Sequence, residues 1–76
     1  MKFEEGATIF EKGDDAQMMY IIAEGRVKVL IEGKKDIYLE EGELFGEASL
    51  HEGMKRSGTA VAGKKTICSI LSRKDI

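Results

Sequence analysis

The sequence is 76 residues long, with 12 Lys plus Arg against 14 Asp plus Glu, a net charge of −2, and 42% hydrophobic and 34% charged residues. That length holds one small domain, which buries only about 60% of the surface its unfolded chain exposes, and no apolar run is long enough to span a bilayer. Interspersed charge excludes the basic face that general nucleic-acid binding needs, a single cysteine excludes an internal disulfide, and a single histidine leaves zinc- and haem-type sites without their usual ligands.

Met1 is followed by Lys2, Phe3, Glu4 and Glu5, without the basic flank and apolar stretch of a secretory signal, which predicts a cytoplasmic protein. Nine glycines and no prolines punctuate the chain. Between them lie short β-type runs. Residues 18–23 and 26–31 read as strands, the second with Val27, Val29 and Ile31 on one face, and the Glu24-Gly25 turn between them predicts a hairpin. Of the adjacent Met18 and Met19, one is expected in the core and the other outside, since strand neighbours point to opposite faces. A second turn over residues 32–35 leads into a half-buried strand at 36–39. Leu44 and Phe45 precede a segment, 46–50, that can form one helical turn. Strands at 56–62 and 66–71 come next, joined by the polar Gly63-Lys64-Lys65 turn. Cys68 reads as a small buried hydrophobe and His51 as a loop residue, with no partner for either in view. Gly58, between Ser57 and Thr59, marks a bulge or a close backbone approach. Short strands at about 8–12-residue spacing, with no long amphipathic helix, predict an all-β fold. Its architecture is a small antiparallel jelly-roll barrel, or double-stranded β-helix, carrying one short helical turn and occupying residues 1–76 as a single domain.

The chemistry concentrates in Phe45-Gly46-Glu47-Ala48-Ser49-Leu50 and, after a short gap, Lys55-Arg56-Ser57-Gly58. A glycine that admits close backbone approach, followed by free N–H groups at the start of a helical turn, favours an anion. Arg56 adds a planar guanidinium that can hold two phosphate oxygens, and Ser57 adds a hydroxyl. Glu47 would repel phosphate. Beside an anion site it makes sense as an acceptor for ligand hydroxyls such as those of a ribose, and sugar plus phosphate means a nucleotide.

These residues resemble the cyclic nucleotide-binding domain of catabolite activator proteins, protein kinase A regulatory subunits and cyclic-nucleotide-gated channels. The match runs through residues 5–14, Tyr20-Ile21-Ile22, Glu24-Gly25-Arg26-Val27 and Phe45-Gly46-Glu47 to Arg56-Ser57, nearly the whole chain. The resemblance implies a cyclic nucleotide as ligand, cAMP before cGMP, and no other cofactor. By the same resemblance Arg56 pairs with the cyclic phosphate, supported by Ser57 and by backbone N–H groups of Gly46, Ala48 and Ser49. Glu47 holds the ribose 2′-hydroxyl, and Val27 and Leu39 line the purine side. In the family, helices follow the final strand and the last closes over the base; here the sequence ends at Ile76, which implies a barrel lacking that C-terminal lid.

Taken singly, Arg56 and Glu47 would be surface charges. Only their spacing together reverses that reading. The sequence therefore predicts a non-catalytic sensor or regulatory module that binds a cyclic nucleotide, with no direct nucleic-acid or membrane contact. The alternative is a ligand-free interaction module on a degenerate barrel, forming a homodimer or joining a larger protein through surface that the missing helices leave apolar. A cupin-like metal enzyme fares badly, because such sites draw on several histidines.

Overall fold

A computed structural model describes residues 1–47 and 53–72 of the chain. They form eight strands: β1 (Lys2–Phe3), β2 (Thr8–Phe10), β3 (Met18–Glu24), β4 (Val27–Leu30), β5 (Ile37–Leu39), β6 (Leu44–Phe45), β7 (Thr59–Ala62) and β8 (Thr66–Ser72). Two four-stranded sheets result, ordered β1-β8-β3-β6 and β2-β7-β4-β5, and every pairing is antiparallel. The pairings nest: β1 with β8, β2 with β7, β3 with β6, and β4 with β5. That is a single long ribbon doubled over on itself, the jelly roll expected from the sequence. No helix among the described residues is long and apolar enough to cross a membrane. The helical turn expected over 46–50 lies, beyond Glu47, outside the described residues.

One connection differs from expectation. β3 and β4 are not a hairpin: β3 is bonded to β8 and β6, whereas β4 is bonded to β7 and β5. The Glu24-Gly25 turn carries the chain from one sheet to the other. Gly25 has φ +107°, and a Cβ there would lie 2.5 Å from Thr66 Oγ1 and 2.6 Å from the Lys65 carbonyl oxygen. Thr66 is wholly buried. Its hydroxyl oxygen accepts the Arg26 N–H at 3.2 Å, and its proton faces the carbonyls of Lys64 at 2.7 Å and Arg26 at 3.0 Å. The corner is thus locked from the far end of the chain. The hairpin turn lies instead between β4 and β5, where Lys34 N–H donates to the Ile31 carbonyl at 3.1 Å.

Alternation fills the space between the sheets. Tyr20, Ile22, Val27, Phe45, Ala60 and Cys68 form the buried cluster, with Phe3, Phe10, Val29, Leu39 and Ile70 packed against it. Tyr20 and Phe45 stack with ring centres 5.0 Å apart. Met19 is buried and Met18 exposed, as the two-residue period requires. The strand expected from residue 56 begins at Thr59, because the backbone of Arg56 is bonded to the β2–β3 connection instead. Just before it, Gly58 is a close approach: a Cβ would meet the Leu30 carbonyl oxygen at 2.7 Å.

Cys68 is 2% exposed, and burial pushes its thiol up from its ordinary value, opposed by the N-terminal amine. A thiol that is both covered and protonated is inert. Folded protein at pH 8 should therefore leave Cys68 unmodified by a thiol reagent over a period in which denatured protein reacts completely.

Candidate functional site

Arg56 organises the site. Its N–H donates to the Asp14 carbonyl at 2.8 Å and its carbonyl accepts from Gly13 N–H at 2.9 Å, so its main chain is pinned to the connection between β2 and β3. From there the side chain runs inward and is only 5% exposed. Nη2 donates to the Met18 carbonyl at 2.6 Å and Nη1 to the Gly46 carbonyl at 3.1 Å, and the guanidinium lies 4.1 Å from the centre of the Phe10 ring. Nε is buried with no partner among the described residues. Burial lowers the guanidinium below its ordinary value, opposed by Tyr20, Asp14 and Glu47, but arginine stays charged throughout the physiological range. A fixed cation whose buried Nε–H is unspent is therefore held inside a small barrel, and an unsatisfied buried donor is costly unless something completes it.

Gly46 follows β6 with φ +84°, and a Cβ there would sit 3.0 Å from both Arg56 Nη1 and the Met18 carbonyl oxygen. Only a residue without a side chain lets the Gly46 carbonyl reach the guanidinium at this backbone angle. Glu47, next in the chain, is exposed. Gly46, Glu47, Arg56, Ser57 and Gly58 together line one part of a cavity of about 260 Å³ whose remaining walls are Phe10, Val29, Ile31, Ile37, Leu39, Leu44 and Phe45. The strands β4 and β5 thus give an apolar wall, while the segments after β6 and before β7 give the cation, the carboxylate and the hydroxyl. Such a cavity fits a ligand with a flat apolar part and an anionic end.

Of the residues expected at the site, Arg56, Ser57, Gly46, Glu47 and Leu39 meet at this cavity. Ala48 and Ser49 lie outside the described residues. Val27 is not on the cavity wall: it is 0% exposed, sealed in the core between Leu39 and Ala62. Val29, one step further along the same face of β4, lines the cavity in its place. Sequence reasoning missed Phe10 as the platform under Arg56 and the Met18 carbonyl as its acceptor. Phe10 stood within the first glycine-bounded segment and carried a signal, but a backbone carbonyl leaves no mark in a sequence.

The sequence profile described as the cyclic nucleotide-binding domain matches residues 1–76. The chain is 36% identical over 72 residues to a cGMP-dependent protein kinase of Plasmodium berghei, covering 95% of this chain and 8% of the kinase. Its fold superposes on the crystal structure of the Thermus thermophilus catabolite activator protein with a TM-score of 0.87 at 36% identity, covering 99% of this chain and 38% of that one. It likewise superposes on the EAL enzyme Bd1971 with a TM-score of 0.85 at 32% identity, in a cAMP-bound and in a cGMP-bound form. Here the coverage is 99% of this chain and 22% and 21% of those chains. The chain spans well under half the length of each of these relatives.

Proposed function

Since this chain belongs to the cyclic nucleotide-binding domain family, we propose that it is the ligand-sensing part of a regulatory protein, binding cAMP in preference to cGMP without converting it. The observation that carries this reading is the buried Arg56 guanidinium, with Nε unpartnered, at the polar end of a cavity whose other walls are apolar. A cyclic phosphate supplies the acceptor that Nε lacks and is paired by the fixed charge. In this reading Glu47, exposed on the same cavity, accepts from the ribose 2′-hydroxyl. The base then lies along Val29, Ile31, Ile37 and Leu39, side chains that offer a purine no hydrogen bonds. Both purines carry an amino group, but guanine buries a carbonyl and a ring N–H besides, and polar groups without partners are costly to bury, so adenine is favoured.

The test is a calorimetric titration of refolded, nucleotide-free protein with cAMP and with cGMP. One-to-one binding with cAMP tighter supports the reading. Tighter cGMP would reassign the base. Absence of heat at millimolar ligand with the protein folded would make the barrel an interaction module. Glu47→Gln gives a second check on the same site. It should weaken cAMP binding about five- to tenfold, the gap between a charged and a neutral hydrogen bond, and leave 2′-deoxy-cAMP unchanged. An equal loss for both nucleotides would remove Glu47 from the ribose.

A further inference from the structure

Gly58 is not among the glycines with positive φ, so its main chain takes a conformation open to any residue. What excludes a side chain there is the neighbouring strand. The Leu30 carbonyl oxygen stands 2.7 Å, and Ile31 Cγ1 3.0 Å, from where a Cβ would sit, both short of the roughly 3.5 Å at which non-bonded carbon atoms rest. Gly58 is buried, and both it and Ile31 line the cavity. They meet at a seam: on one side the polar end made by Gly46, Glu47, Arg56 and Ser57, on the other the apolar wall of β4 and β5.

The two sides of this seam are held unequally. On the Gly58 side, the Arg56 main chain is bonded to Gly13 and Asp14, its guanidinium to the Met18 and Gly46 carbonyls, and Lys12 N–H donates to Thr59 Oγ1 at 3.1 Å. Anchors thus stand two residues before Gly58 and one after it. On the other side the chain leaves β4 at Leu30 and turns through exposed residues 32–38, where the Lys12–Glu32 and Lys28–Asp36 pairs are of the solvent-screened kind that adds little. A side chain at position 58 therefore displaces Leu30 and Ile31, by several tenths of an ångström, and leaves Arg56 where it is.

We infer that Gly58 sets the width of the cavity and is a specificity-determining residue: its missing side chain lets the β4 wall close against the polar end, which limits the size of the base there. The inference deepens the cyclic-nucleotide reading and rests on it for the ligand; the geometry rests on the seam alone. With phosphate and ribose at the polar end and the base along the apolar wall, the seam faces the glycosidic bond that joins them. The 8-position of the purine is next to that bond. A close wall excludes bulk at the 8-position, whereas a displaced wall loses contact with cAMP, since a gap of about 0.5–1 Å forfeits a quarter to a half of each dispersion contact, and makes room for a larger base.

The test titrates the parent, Gly58→Ala and Ile31→Val with cAMP and with 8-bromo-cAMP, and records a melting curve and the methyl NMR spectrum of each without ligand. Gly58→Ala should weaken cAMP about three- to tenfold and 8-bromo-cAMP by less, so that the dissociation constant of 8-bromo-cAMP relative to that of cAMP falls at least about twofold. In the ligand-free variant the Ile31 methyl signals should move, while those of Val27, sealed in the core on the same strand, stay in place. An unchanged ratio in the folded variant, or Ile31 signals at their parental positions, would overturn the inference and leave Gly58 to barrel closure alone. Ile31→Val takes a methyl group from the other side of the seam without a clash and should lower the same ratio. If Gly58→Ala does not fold, that variant decides, and an unchanged ratio there counts against the inference. Should the parent bind no cAMP, the ligand reading fails by itself, and the Ile31 signals still decide whether the wall yields.

Discussion

Gly25→Ala should cost about 3–5 kcal/mol, enough to leave the barrel largely unfolded under conditions in which the parent is folded. Two costs add. A side chain at φ +107° sits outside the left-handed region that L-residues tolerate, a strain of about 1–3 kcal/mol. The new Cβ would also stand 2.5 Å from Thr66 Oγ1 and 2.6 Å from the Lys65 carbonyl oxygen, and overpacking of this kind costs about 1–3 kcal/mol. Neither neighbour can withdraw cheaply. Thr66 is wholly buried and its hydroxyl closes the corner through Arg26 and Lys64, while the Lys65 atom is backbone. A barrel of this size has a total stability of only about 5 kcal/mol, so the loss is comparable to the whole. Urea unfolding followed by circular dichroism measures it. A midpoint within a few tenths molar of the parent would mean that the corner relaxes, and that the sheet change at Gly25 is less rigid than its contacts imply.

Arg56→Ala is expected to weaken cAMP binding by about a hundredfold, the upper end of what a charge-assisted contact of about 1.5–3 kcal/mol allows. The upper end applies because the guanidinium is buried and already oriented by Gly46, Met18 and the Phe10 ring, so little ordering remains to be done on binding. The same substitution strips the Met18 and Gly46 carbonyls of their donors. Binding is therefore read only after a melting curve shows the variant folded. Arg56→Lys separates charge from geometry: one ammonium cannot reach both carbonyls and the phosphate together, so affinity should again drop at least tenfold. Unchanged affinity in the lysine variant would mean that backbone N–H groups hold the phosphate.

The sequence disclosed which residues gather at the cavity better than it disclosed the connections. Arg56, Glu47, Gly46 and Ser57 were legible because a charged fork, a carboxylate and a glycine at that spacing have few other uses together. The strands with clear alternation, β3, β4 and β8, were legible for the same reason that their inner residues are buried. The connection through Gly25 was misread because two adjacent strands joined by a short turn look alike whether they pair or part. What decides between them is Thr66, some forty residues on. The strands β1, of two residues, and β2, of three, are too short for any period to show. Val27 and Val29 point the same way, and only the closure of the barrel determines which of them is sealed and which faces the cavity.

The nested pairing has a consequence for how the chain reaches this state. Among the described strands only β4 with β5 joins neighbours in sequence; the Met1 amine donates to the Cys68 carbonyl across 67 positions. Loops of that length must close before most of the sheet is rewarded, which places folding in the slow range of about milliseconds to seconds. On the ribosome the early strands would wait with open edges until β8 has emerged, since β1 has no other partner among the described strands and β3 takes its longest one from β8. Of the eight strands, the one made last is thus the one that closes the barrel.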